Sequence, residues 1–370
     1  MESKSRPLAA PSAVVLLASI VPALALARCG IWPTFPTRDG GVLDAGDTGV
    51  TMTDARNDGT GPMDVVRDAP TDMGMDSGSS FGFMTCSTAP GNGPFDLSVV
   101  ASPPSSTRDL AFNGTTGFVT ATTDILSWDA AGSSTPLTMA GALGLSARSL
   151  RYLPNGDIAV VTTEQALRIW SHSTMMVTTV ASMFSYLNGL TVDPSGAMYF
   201  SDTAISGAMP AVRRATSDGM VAMVTSMVPV PTGLALTPDN RHLFIGSAGR
   251  GVYYVDLAAD GSPIGMPHLY LNEPANAYGL AFDQCGYLYV TDQDRGRILR
   301  VPPGGGSYVA LTVRPPDGGT ITPVGIAFGQ APYDTTSLYF VDLAAQVVYR
   351  LPVNVRGAPV TLPTGGGGDP

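Results

Sequence analysis

The stretch Ala277-Tyr278-Gly279-Leu280-Ala281-Phe282-Asp283-Gln284-Cys285-Gly286-Tyr287-Leu288-Tyr289-Val290-Thr291-Asp292, with Gly296-Arg297-Ile298-Leu299-Arg300-Val301 after it, reads as three short strands. Gly279 to Phe282 is apolar and runs into a tight Asp-Gln-Cys-Gly turn. Tyr287 to Thr291 alternates aromatic and aliphatic residues, and Asp292 to Gly296 turns the chain into Ile298 to Val301. β-branched and aromatic residues dominate, turn formers mark each boundary, and no 3.6-residue period is present.

The same paragraph recurs along the chain. Its inner-strand motif aligns as Asp109-Leu110-Ala111, Ser149-Leu150-Arg151, Gly189-Leu190-Thr191, Gly233-Leu234-Ala235, Gly279-Leu280-Ala281 and Gly325-Ile326-Ala327, with spacings of 40, 40, 44, 46 and 46 residues. Turns such as Pro154-Asn155-Gly156-Asp157, Asp193-Pro194-Ser195-Gly196 and Thr237-Pro238-Asp239-Asn240 lead from each motif into a second strand. A third strand and an outer strand follow, the latter at 136–139, 177–180, 221–224, 267–271, 308–312 and 359–362. Four strands repeated six times at this period predict an all-β, six-bladed β-propeller over residues 81–370, with blades from about 95 to 364. A seventh outer-type strand, 95–100, is expected to pair into the last blade and close the ring, because closure removes aggregation-prone edges.

Composition narrows the rest. The net charge of −10 excludes a phosphate-backbone partner, so no nucleic-acid binding is expected. Lys4 and Arg6 precede an apolar run from Ala13 to Ala27, the length of a signal h-region and short for a membrane span. Two endings compete. Ala25-Leu26-Ala27 is an A-x-A cleavage site, whereas Leu26-Ala27-Arg28-Cys29 is similar to a bacterial lipobox that would lipidate Cys29. The sequence reading takes 1–28 as a lipoprotein-type leader and 29–80 as an acidic, unstructured tether. Residues 38–80 hold nine Asp against three Arg and no Glu, too little apolar surface to offset ordering entropy. The expected location is the bacterial periplasm or cell surface, with membrane attachment by the lipid alone and a monomeric state. With Cys29 lipidated, only Cys86 and Cys285 remain, and a disulfide between them is expected; two separate thiols are the alternative.

The pattern Gly-Leu-Ala-Phe-Asp…Gly-Tyr-Leu-Tyr-Val-Thr-Asp…Gly-Arg-Ile-Leu-Arg-Val, and the similar run from Asn188 to Asp202, resemble the gluconolactonase/regucalcin-type (SMP-30-like) six-bladed propellers, with NHL-repeat-like blades. The resemblance spans about residues 95–362. It implies a divalent cation, calcium among the candidates, on the ring axis, held by residues just ahead of the inner-strand Gly: Glu in the first blade, Asn in the middle blades, Asp in the fifth. The corresponding residues here are Arg108, Arg148, Asn188, Thr232, Tyr278 and Val324, and Asn188 alone keeps the family's residue type.

Arg108, Arg148, Asn188, Thr232 and Tyr278 are therefore the candidate ligand-binding residues, with Asn188 as a candidate metal ligand. Two guanidinium forks, an amide, a hydroxyl and a phenol suit a carboxylate or another polar anion. The bland alternative is that they satisfy backbone groups, or pair with nearby Asp109. Asp202, Asp292 and Asp342 end the second strand of three blades, and their repetition predicts capping of the following turn rather than acid catalysis. His172, His242 and His268 are read as lying in different blades, with no metal spacing. Trp128 and Trp170 sit at equivalent third-strand positions and read as packing. The expected function is non-catalytic binding of a small molecule or protein at the axial mouth. The alternative is a metal-dependent lactonase or hydrolase.

Overall fold

The computed structural model describes residues 81–136, 147–204, 208–274 and 276–359. The leader, Cys29 and the tether lie outside the described residues. Six four-stranded antiparallel sheets form a six-bladed propeller. The inner strands are Leu110–Phe112, Ala147–Tyr152, Leu187–Val192, Pro231–Leu236, Ala277–Phe282 and Pro323–Phe328. Among the described residues the helical content is one 3-10 turn, Gln293–Arg295.

The repeated Leu explains how the blades assemble. Leu110, Leu150, Leu190, Leu234, Leu280 and Ile326 are each at most 5% exposed. They sit in apolar clusters that straddle the seams between blades. Ile125 and Phe118 of blade one, for instance, pack with Leu150, Ile158 and Trp170 of blade two. Burying one such side chain contributes roughly 2 to 3 kcal/mol, so each repeat is held by its neighbours. Trp128 and Trp170 are both 2% exposed and belong to these clusters.

Ring closure differs from expectation in two respects. Ser98–Ala101 pairs antiparallel with Val347–Leu351 and supplies the outer strand of blade six. The expected outer strand at 359–362 is therefore not needed: that slot is already filled from the N-terminal side, and residues from 360 onward lie outside the described residues. The expected strand 95–100 is also divided, since Phe95–Asp96 pairs in parallel with Val313–Arg314 instead.

A strap precedes this closure. Phe81 packs edge-on against His242 at 4.6 Å and Phe83 lies 4.9 Å from Phe282. The Met84 amide donates to the Gln284 carbonyl, and Cys86 is disulfide-bonded to Cys285. The far end of the chain crosses the same place: the Gln284 amide donates to Arg356, and that of Ala358 to Phe282. The N-terminal strap thus lies over blades four and five, and the C-terminal segment meets it at the turn that follows the inner strand of blade five.

His242 and His268 share blade four rather than occupying separate blades. Both flank Asp256, at 3.4 and 4.0 Å. Their strands are not adjacent in the sheet, but the strand Gly251–Leu257 between them carries Asp256.

Candidate functional site

All six inner strands begin at one mouth of the axial channel and end at the other. In blades two to six the pairing of the inner with the second strand slips by one residue near the start, a β-bulge between 147 and 149, 187 and 190, 231 and 234, 277 and 280, and 323 and 326. A bulge leaves one residue unpaired and re-aims it. The bulges fall on the residues just ahead of the repeated Gly or Ser, which is how Arg148, Asn188, Thr232 and Tyr278 come to this mouth.

The glycines that follow are required by close approach, not by turns. A Cβ on Gly189 would collide with the Thr232 carbonyl, one on Gly233 with that of Tyr278, and one on Gly279 with that of Val324. Hydroxyls lock the approach. Ser201 accepts from the Gly189 amide at 2.8 Å and donates to the Thr232 carbonyl of the next blade at 2.6 Å. Thr291 does the same between Gly279 and Val324, at 2.6 and 2.7 Å. Blade four has Gly246 at the equivalent position, where no hydroxyl can serve, and there Thr232 donates its own hydroxyl to the Ala277 carbonyl. Thr232 is 2% exposed and forms wall rather than a free group. The signal for this exchange, Gly246 where blades three and five have Ser and Thr, is legible in the repeat alignment.

Three of the expected residues meet across the axis. Tyr278 of blade five donates its phenol to Asn188 Oδ1 of blade three at 2.6 Å, and Arg108 Nη1 of blade one donates to the phenol oxygen at 3.5 Å. Asn188 Nδ2 is 3.4 Å from the Thr203 hydroxyl. Arg148 stands apart from this chain. Its guanidinium lies 3.9 Å above the Tyr186 ring, and its Nε and Nη1 are buried with no hydrogen-bond partner among the described residues. Tyr186 escaped the sequence reading because it lies outside the repeated motif. Val324 is fully buried and offers no polar group.

Asp109 does not pair with Arg108 or Arg148. Its carboxylate accepts from the Leu110 amide, the Ser149 hydroxyl and Arg151 Nη1, the last at 2.7 Å. The three repeated aspartates are structural, but only Asp342 caps the following turn, accepting from the Ala344 and Ala345 amides. Asp202 instead accepts from Ser185 and Tyr186, and Asp292 from the Asn276 amide and Arg297. These bonds tie the end of the second strand to the entry of the inner one.

This donor set does not fit a divalent cation. A hard cation needs six or more oxygens, several of them anionic. Here Asn188 Oδ1 already accepts the Tyr278 proton, Thr232 donates into the wall, and Arg108 and Tyr278 stand where the family has its two carboxylates. Among the described residues no three His, Cys, Asp or Glu side chains are grouped to hold a metal.

A chamber of about 200 Å³ opens toward the opposite mouth, lined by the later residues of the inner strands and none of the five candidates. Comparison with known proteins places the fold. A gluconolactonase from Xanthomonas campestris superposes with a TM-score of 0.58 at 17% identity, over 69% of this chain and 89% of that one. A calcium-binding regucalcin from Agrobacterium tumefaciens gives 0.60 at 16% identity, over 73% and 98%. No curated protein sequence matches significantly. The family model for the SMP-30/gluconolactonase/LRE-like region matches residues 121–335, more than half of the chain, and the protein therefore belongs to that family.

Proposed function

We propose that the protein binds a small hydroxy acid, or the lactone it derives from, at the mouth framed by Arg108, Arg148, Asn188 and Tyr278, with Arg148 receiving the carboxylate. The observation that carries this reading is the buried Arg148 guanidinium, whose Nε and Nη1 have no hydrogen-bond partner among the described residues. Leaving charged N–H groups buried and unpaired costs about 1 to 3 kcal/mol, and a carboxylate oxygen would satisfy one of them with a charge-assisted hydrogen bond. The Tyr186 ring holds the guanidinium from one side, and the Arg108–Tyr278–Asn188 chain offers hydroxyl, amide and guanidinium partners for polyol oxygens. Family membership supports a sugar acid or its lactone as the substrate class, one similar solved structure being a gluconolactonase.

A second reading, metal-dependent lactone hydrolysis, is favoured by the family match itself. Asn188 would be the one family-type ligand, and the remaining donors do not complete a site. Calorimetric titration separates the two. Gluconate binding that is lost in Arg148→Leu and indifferent to calcium supports the first. Tight binding of one calcium, manganese or zinc ion that is lost in Asn188→Ala, together with metal-dependent lactone turnover, would overturn it for the second.

Export and lipidation at Cys29 belong to the same proposal. The basic start, the apolar run and the Cys86–Cys285 bridge all suit an oxidising compartment. Mass spectrometry of the mature N-terminus checks it: a diacylglyceryl Cys29 supports the anchor, and a free residue 28 replaces it with ordinary cleavage.

A further inference from the structure

We infer that the chamber at the opposite mouth is a second small-molecule site, independent of the first, and that it takes an uncharged, largely apolar compound carrying a hydroxyl or amide N–H. The wall explains the apolar part. At the level just past the repeated Leu, the six inner strands contribute Ala111, Arg151, Thr191, Ala235, Ala281 and Ala327, all of which line the chamber. Four methyl groups leave room that larger residues would fill. The resulting 200 Å³ equals roughly six or seven water molecules at bulk density.

Charge complementarity explains why the guest is neutral. The two charged residues of the lining are already neutralised by the protein. Arg151 is paired with Asp109 at 2.7 Å, and it also donates to the Leu150 carbonyl at 2.5 Å. Asp193 lies 3.6 Å from Arg214, and its other oxygen accepts from the Ser195 and Ala197 amides. A charged guest would enter with no counter-charge to repay its desolvation. One polar demand remains. Gln330 lines the chamber, and its Oε1 is buried with no partner among the described residues. That acceptor asks for a donor, which an alcohol or amide supplies and a carboxylate does not.

The two ends of the channel thus differ in the chemistry they recognise. Ligand-observed NMR on the full chain, with cyclohexanol and benzyl alcohol against cyclohexanecarboxylate and benzoate, tests this. The alcohols are expected to bind and the carboxylates not to bind in the chamber. Gln330→Leu is expected to weaken alcohol binding by about fivefold, the worth of one ordinary hydrogen bond. Ala281→Phe should abolish it, and Arg148→Leu should leave it unchanged. If Ala281→Phe does not fold, Ala327→Leu fills the same wall less severely. The inference is overturned if no alcohol binds at about 10 mM, above the roughly 1 mM that a −4 kcal/mol interaction would give. It is equally overturned if Gln330→Leu has no effect, or if Arg148→Leu removes alcohol binding along with gluconate binding. Because Arg148 and Gln330 lie at different ends, loss of the first site leaves this result standing, and the reverse also holds.

Discussion

At one end of the axial channel, side chains from blades one, three and five reach across and bond to each other, and a buried guanidinium has two nitrogens without a partner among the described residues. At the other end, alanines draw back, charges are paired off, and an open chamber remains. The same six strands build both. What differs is the local backbone: bulges at the strand starts turn residues inward, whereas regular alternation further along presents only every second residue. The lesson is that repeated architecture sets where side chains converge, and the identity of a few non-repeating residues sets what the convergence can bind.

The sharpest way to break this contrast is to disturb the packing at the bulged end. Gly233→Ala would drive a methyl into the Tyr278 carbonyl of the next blade. It is expected to lower stability by about 3 kcal/mol or more, read by thermal or urea unfolding. A cost below about 0.5 kcal/mol would mean that the strand starts are looser than described.

The chamber end carries a titrating group of its own. Asp283 is fully buried in the turn below the strap, and burial pushes its carboxyl up to about 6 despite bonds from the Tyr287 and Cys285 amides, Tyr289 and the nearby Arg300. Its folded-state value lies above the ordinary one, so the folded protein holds the proton more tightly than the unfolded chain. Stability from this group is therefore complete below about pH 4 and is lost as pH rises through 6, amounting to about 3 kcal/mol at most. The difference in unfolding free energy between the wild type and Asp283→Asn, measured from pH 4.5 to 7.5, should follow that sign. A difference flat across that range would place the carboxylate in a better-solvated setting.

Arg148→Leu is expected to weaken gluconate binding by about 2 kcal/mol, the worth of a charge-assisted hydrogen bond, while leaving stability unchanged or slightly raised. Calorimetry and melting on the same sample separate the two effects. A large loss of stability without loss of affinity would assign Arg148 to the wall. The smallest effect is expected from Thr232→Ala, which removes the hydroxyl bridge from blade four to blade five: about 1 kcal/mol of stability and no change in affinity. Loss of affinity there would move Thr232 back among the ligand-binding groups.

Most of the architecture was legible from residues alone. The repeated Gly-Leu-Ala, its spacing and the intervening turns define six four-stranded blades, because hydrophobic alternation and turn chemistry are local properties that each repeat states again. The candidate mouth was legible too, since equivalent positions in a ring must face one axis. Less visible were the partners of those positions. Arg151, not Arg108 or Arg148, takes Asp109, and Tyr186 lies outside any repeated motif, so no spacing announces its contact with Arg148. Thr232 resembles a ligand until Gly246, fourteen residues later in the chain, is seen to leave a bond for it to make.

The sequence by itself determined the fold class, the blade count and the residues gathered at the bulged mouth, all of which rest on period and composition. Only the tertiary structure decided which strand closes the ring, which charges are neutralised and which are left open, and that a neutral chamber occupies the far end. Those outcomes depend on side chains brought together from different blades, such as Asp109 with Arg151 and Tyr278 with Asn188. Pairing between such groups is set by the closed ring, where each residue's partner is chosen by geometry around the axis and not by distance along the chain.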